Sequence, residues 1–427
     1  HGCVPLDVLQ GVLQSTKQAV RERSIPAVRL DQSALRGFLA ALALLVLPAP
    51  AFAGRVLVLD QSARHERAVN DPAVPATDMP PPPGGARAAR AARARAAARA
   101  GVTRTALRGL ASSGQIDQVE YQDRLNVYNQ AVSTRNGLSG KRRKELGWVI
   151  GNTDEIAQKG ALTAARLEPV FLILAKNTEF WRNSPIPSSG DRVQFYGSQL
   201  IFQYYPGEGM QLQQLATWGK VNAAVNDRSK SLATYRLDEL VPLAVNRDGG
   251  AAWEYYFHFG GGSPPWTSAL SQGTAIQALI HASALLRNRS YASLAYQSLR
   301  PFQLAPPRGV RTRTGPGRAS YVIYSFAPHY FVLNAFIQAL NGLWDMGSPK
   351  LGGSAKARTL FAIGDREARR ELPKFDTGRW ARYSLSGEIS DTSYMVLLRD
   401  FLRGLCDRVG PSPYCTYANK FTRYLGG

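Results

Sequence analysis

One pattern runs from residue 116 to residue 424: a stretch of helical period, a short loop rich in Gly or Pro, then the next stretch. Apolar residues recur three and four apart in 116–132, 141–158, 162–181, 210–227, 232–245, 268–288, 291–302, 330–343, 355–371, 393–405 and 414–424. Only 192–205, RVQFYGSQLIFQYY, reads as extended, and Gly197 inside it supplies a turn, so a short β-hairpin is expected there. Such a succession predicts a mainly α fold. Helical hairpins arranged as an α/α toroid, an incomplete barrel, bring their connecting loops to one end. Those loops hold the aromatic and charged residues, in 202–210, 253–266, 321–330 and 376–394.

The first 110 residues are of another kind. Arg36 is followed by an apolar run, 37–47, and then by PAPAFA at 48–53. A positive flank, a short apolar stretch and a small-x-small ending predict a secretory signal, preceded by an upstream extension. The predicted location is therefore secreted or cell-surface. The run is shorter than the ~20 apolar residues of a spanning helix, and an uncleaved anchor, a membrane tether, is the competing reading. Pro80 to Gly85 is PPPPGG, a linker signal, and 86–100 is an Ala/Arg run without an acid. The expected organisation is a signal-bearing extension over 1–53, a disordered linker over 54–110 and a helical domain over 111–427.

Lys plus Arg number 52 against 31 acids, a formal charge of +21. Residues 1–53 contribute +2, 54–110 contribute +6, and the remaining +13 lies in the helical domain. A basic excess that is not confined to a tail suggests a polyanionic partner. Nucleic acid is not expected, because no aromatic residue is interleaved in the Ala/Arg run to stack on bases. His1, His65, His258, His281 and His329 have no metal-ligand spacing, and no nucleotide loop or nucleophile elbow occurs. No metal and no cofactor is predicted. Asp248, Glu254, Asp376, Glu388 and Asp391 could include the paired carboxylates of a glycoside hydrolase.

Tyr321 to Gly347 begins as a loop, since Pro328 fixes φ and disfavours helix just before it. Phe331, Val332, Ala335, Phe336, Leu340 and Leu343 then share one helical face. With Tyr324, Pro328 and the run Phe331-Val332-Leu333-Asn334, this stretch resembles the C-terminal domain of the D-glucuronyl C5-epimerases. Other runs resemble that family in the same order. They are Tyr204-Tyr205-Pro206, Ala216-Thr217-Trp218-Gly219, Gly249-Gly250 before Trp253, Trp266-Thr267-Ser268-Ala269 with Ser271-Gln272-Gly273, and Phe375-Asp376-Thr377-Gly378.

The resemblance implies an α/α toroid that acts on an acidic, uronate-containing polysaccharide. It implies proton abstraction and return at C5 by tyrosines, at positions that correspond to Tyr324, Tyr383 and Tyr394. Substrate-binding positions are expected at Tyr205, Glu208, Trp253, Glu254, Trp266, Gln272, Asn334, Arg379 and Arg382. Tyrosine has a reference pKa of ~10 and must be activated to act as a base; positive neighbours, if arginines line the site, would favour its phenolate. Three departures stand out. The acid before the first tyrosine is Ile323, the arginine after the second is Ser386, and histidines after the third are Met395 and Leu398. Glu254 or Glu208 could replace the acid, and Arg379, Arg382 or Arg399 the clamp. A lyase or hydrolase of the same glycan and a non-catalytic glycan-binding relative are the alternatives. Cys406 and Cys415 flank a Gly-Pro-Ser-Pro turn, and in an exported chain they are expected to form a disulfide.

Overall fold

Helices begin where the sequence offers a side chain to hold the first free amides. Asp117, Ser268, Asn288, Ser354 and Asp391 each accept a hydrogen bond from a first-turn N–H. In the computed structural model, which describes residues 53–76, 80–82 and 101–426, twelve α-helices and nine β-strands form. The first four helices, α1 (Val102–Ser112), α2 (Gln118–Gly137), α3 (Gly140–Gln158) and α4 (Ala164–Asn183), pack on one another. The remaining eight alternate in role. Helices α5 (Gln214–Asn226), α7 (Ala269–Leu286), α9 (Leu333–Gly347) and α11 (Thr392–Val409) contact each other in sequence. Helices α6 (Lys230–Leu240), α8 (Arg289–Gln297), α10 (Ala355–Glu371) and α12 (Pro413–Tyr424) each back the one before. The result is two layers of helices, four in successive contact and four behind them.

The composition of the inner layer explains its position. Helix α9 buries fourteen of its fifteen residues, all but Trp344. Helix α7 meets it with no room for side chains at the crossing. A Cβ on Gly342 would stand 2.1 Å from the Gly273 carbonyl oxygen, and one on Gly273 would stand 2.6 Å from Ala339 Cα. Real Cβ contacts of that length do not occur, so two glycines set the approach of the two inner helices.

The expected β-hairpin over 192–205 forms, and it lies inside a five-stranded sheet. Strands β4 (Ile201–Tyr205) and β5 (Gly209–Leu212) pair antiparallel, and β3 (Arg192–Gln194) joins β4. Two further strands come from the stretch expected to be linker. Strand β1 (Ala53–Leu59) lies parallel to β3 with Leu57 opposite Val193, and β2 (Glu66–Pro75) pairs with β1. The alternation of Val56, Val58 and Leu57, Leu59 was a strand signal that the nearby proline run masked. Val102–Ser112 is likewise helix and not tether, with Thr103, Leu107 and Leu110 buried. Met210–Leu212 belongs to β5 and not to the following helix, because its residues pair with β4. The signal-like stretch lies outside the described residues except for Ala53. Among the described residues, no helix is long and apolar enough to cross a membrane. Two small hairpins, β6 (Val245–Arg247) with β7 (Gly250–Ala252) and β8 (Arg311–Gly315) with β9 (Arg318–Tyr321), cross between helices.

Cys406 and Cys415 are bonded, with Cα atoms 4.9 Å apart, and tie α11 to α12 across their nine-residue separation. By loop-closure entropy a link of that length contributes about 2–3 kcal/mol. We expect the Cys406→Ser/Cys415→Ser chain to lose about 2–3 kcal/mol of unfolding free energy, seen as a lower denaturant midpoint. An unchanged midpoint would show that the link adds no stability.

Candidate active site

A second cluster of buried side chains, separate from the main core, gathers residues from every loop that the sequence marked. It contains Tyr255, Phe257, Trp266, Ile323, Tyr324, Tyr330, Tyr383 and Tyr394, with Tyr205, Phe259 and Phe326 at its edge. Each tyrosine is held by local backbone chemistry. Tyr324 follows β9, and its loop is clipped to α7 by Ser325 N–H donating to the Thr267 carbonyl at 2.9 Å. Tyr383 sits on an irregular hairpin where its N–H donates to the Glu388 carbonyl at 2.7 Å. Tyr394 lies in the first turn of α11, its N–H bonded at 2.8 Å to the capping carboxylate of Asp391.

The rings touch in series. Tyr383 and Tyr394 have centroids 4.6 Å apart, Tyr330 is 6.4 Å from Tyr383, and Tyr324 is 6.2 Å from Tyr330. The Tyr383 hydroxyl is approached by those of Tyr394 and Tyr324, yet it is buried and makes no well-formed hydrogen bond. The three tyrosines therefore converge. The expectation of a phenolate favoured by positive neighbours is reversed. Burial, followed by the neighbouring Tyr383, Tyr394 and Tyr330, raises the Tyr324 pKa well above its usual value. Burial and Tyr330 raise that of Tyr383, while the nearby hydroxyls of Tyr394 and Tyr324 act in the opposite direction.

Several expected binding residues serve the framework instead. Trp253 is fully buried, edge-on to Trp218, and donates its indole N–H to the Leu240 carbonyl at 2.9 Å. Gln272 clamps backbone, donating to the Ala251 carbonyl and accepting from Trp253 N–H. Glu254 is bound by Arg166 and Arg247, and Glu208 by Asn152 and the His258 N–H. Neither acid reaches the tyrosines by these contacts. The carboxylate that stands among them is Glu388, which accepts from the Tyr330 hydroxyl at 3.3 Å. Trp266 is in the cluster but is buried, with Tyr255 stacked on it at 4.2 Å, so it is no open sugar platform here. Tyr205 lies at the edge, its hydroxyl accepting from Gln213. Asn334, on the first turn of α9, is buried with neither polar side-chain atom partnered.

The arginines are placed otherwise than expected. Arg379 is exposed and Arg382 half-buried, and tyrosines and Glu388 are the neighbours that act on Tyr324 and Tyr383. Three arginines, Arg311, Arg313 and Arg318, instead line a cavity of about 200 Å³ on the β8–β9 hairpin that leads into Tyr324. The departures also find a reason. Met395 and Leu398 face the main core and Ile323 the aromatic cluster, all nearly fully buried. The carboxylates of the hydrolase alternative are dispersed. Asp248 pairs with Arg308, Asp376 with Lys420, and Asp391 caps α11. Nothing in these contacts makes an acid pair.

A larger cavity, about 370 Å³, adjoins the cluster and is walled by α5, α7, α9 and α11. Leu215 and Phe401 line it and also border the aromatic cluster, while Asn222, Gln277, Gln338 and Asn341 make it polar farther in. Sequence reasoning missed Tyr330 as a member of the site, although it stands six residues after Tyr324 in the stretch already singled out. Among the described residues no group of His, Cys, Asp and Glu could hold a metal ion.

His258, between two residues of the cluster, meets Glu155 at 2.9 Å and Glu208 at 3.7 Å. Burial would lower its pKa, but the neighbouring Glu155 and Glu208 carboxylates outweigh that and raise it to about 9. A raised folded pKa means that its stabilisation is complete below ~6.5 and is lost as pH climbs through about 9. Thermal midpoints should fall across that window, and His258→Gln should flatten the fall. An equal slope in the variant would count against this assignment.

Residues 247–423 match the family described as D-glucuronyl C5-epimerase C-terminus. A D-glucuronyl C5-epimerase of Caenorhabditis elegans is 30% identical over 132 residues, 29% of this chain and 21% of that protein. The chain thus spans about a fifth of the length of the curated relative it matches. The three converging tyrosines lie inside residues 247–423, the part of the chain that is similar to the C-terminus of the D-glucuronyl C5-epimerases.

Proposed function

We propose that this chain epimerises uronate units of an acidic polysaccharide at C5. The observation that carries the reading is the convergence of Tyr324, Tyr383 and Tyr394 in one aromatic cluster. The inner helices, read as part of an α/α toroid, support it by walling a polar cavity beside that cluster.

Epimerisation removes a proton α to a carboxylate and returns one to the opposite face, which requires two proton-transfer groups and a donor for the enediolate. Of the three tyrosines, Tyr383 is the one that both other hydroxyls approach, and so the one whose phenolate they are placed to stabilise. It is assigned as the base. Tyr394 or Tyr324 then returns the proton. The unpartnered Asn334 amide, on a helix start with no side-chain cap, suits the substrate carboxylate and the charge that builds on it. Arg311, Arg313 and Arg318 supply charge for further uronates along the chain. Export is part of the proposal, and the bonded Cys406–Cys415 pair is what supports it.

The test is solvent deuterium uptake into a uronate polymer at constant chain length. Tyr383→Phe and Tyr394→Phe should each lower the exchange rate by about 100-fold or more while polymer binding is retained. Because the working form of Tyr383 is its phenolate, which burial disfavours, the exchange rate should rise steadily from pH 7 to pH 9. Chain cleavage with a new ultraviolet-absorbing double bond would identify a lyase instead, and binding without exchange a non-catalytic relative. Arg311→Ala/Arg313→Ala should weaken polymer binding and reduce its salt dependence; an unaltered salt dependence would remove these arginines from the polymer path.

A further inference from the structure

A piece of the chain itself lies against the aromatic cluster. The Tyr324 hydroxyl donates to the Pro80 carbonyl at 2.6 Å, across 244 positions of sequence. The same segment packs on Gly260, at φ +51°. A Cβ there would lie 2.3 Å from Pro82 Cδ and 3.0 Å from Pro81 Cβ, so the two prolines fill the space above it. A second piece of the same N-terminal region lines the adjoining cavity, through Pro72, Ala73, Pro75 and Ala76. That piece is fixed in place. Gly219 lets it approach, since a Cβ there would meet the Ala73 carbonyl oxygen at 2.7 Å. Lys220 pairs with Asp71 at 3.2 Å, with the lysine side chain only 5% exposed.

We propose that the segment Pro80–Pro82 is a built-in occupant of the candidate active-site groove, which a uronate polymer must displace in order to bind. The inference rests on the reading of Tyr324 as a site residue. A hydroxyl that donates to Pro80 has no proton left to donate to a sugar. Proline-rich segments suit aromatic grooves because they are already extended and lose little freedom on docking. A tethered occupant acts at an effective concentration in the ~millimolar range, and the apparent affinity of a competing ligand falls in proportion to the open fraction.

The experiment compares the full chain with its Pro80→Gly/Pro81→Ser/Pro82→Gly variant by two readouts. The first is hydroxyl-radical oxidation of Tyr324 without ligand, and the second is titration with polyglucuronate. Oxidation of Tyr324 and polymer affinity should both rise at least about fivefold in the variant. Gly260→Ala, which puts a methyl group where Pro81 and Pro82 sit, should act in the same direction and guards against misfolding of the triple variant. Unchanged oxidation overturns the proposal, as does increased oxidation with unchanged polymer affinity. If neither chain exchanges deuterium, the epimerase reading fails, yet Tyr324 oxidation still decides whether the segment fills the groove.

Discussion

The carboxylate of Glu254 is entirely out of water, and the placing of the site depends on what meets it there. Arg166 of α4 donates to both of its oxygens, at 2.7 and 3.0 Å, and Arg247 of β6 donates to one of them. Arg247 also holds the carbonyls of Arg308 and Pro307, so one carboxylate ties the N-terminal helices, the β6–β7 turn and the loop before β8. Burying these charges costs several kcal/mol for each ion unless they are paired and hydrogen-bonded. Here they are. The chain directly after Glu254 carries Tyr255, Phe257, His258 and Phe259, so the ion cluster fixes where the aromatic wall begins.

From that anchor the site is built by exclusion of water. His258 binds the wall to α3 through Glu155, and Trp266 lies against Tyr255 and extends the wall to Tyr324. Such a dry aromatic setting holds tyrosines in fixed geometry, but it opposes their ionisation. The proposed base role of Tyr383 resolves this tension. The hydroxyls of Tyr394 and, once it is released from Pro80, Tyr324 stand next to it, and hydroxyl–phenolate contacts strengthen in a low-dielectric setting. Glu388, close to Tyr330, adds negative charge and opposes ionisation, so substrate must bring a compensating rearrangement or the reaction must run on a small phenolate fraction.

The helical body was legible in the sequence because its signal is periodic: 355–371 and 414–424 match α10 and, to within a residue, α12. The three tyrosines were legible through their resemblance, and the cysteine pair through its spacing about a Gly-Pro turn. Strands β1 and β2 were not, because seven or ten residues between a signal-like run and a proline run read as linker until β3, over 130 positions later, completes the ladder. The buried roles of Trp253, Gln272 and Glu254 were also hidden. A polar or aromatic residue looks the same in sequence whether it faces a ligand or a backbone carbonyl. Glu388 was visible only as one of five carboxylates, and nothing local distinguished it. The contact of Pro80 with Tyr324 leaves no mark in either segment.

The central claim is that C5 of a uronate sits among the hydroxyls of Tyr324, Tyr383 and Tyr394. A crystal structure of the Tyr394→Phe chain with a uronate oligosaccharide tests this most directly. The account predicts a uronate ring in the groove now holding Pro80, with C5 about 3–3.5 Å from the Tyr383 hydroxyl and its carboxylate on Asn334. A sugar seated only at the arginine-lined cavity of β8–β9, with the tyrosine cluster closed, would contradict it.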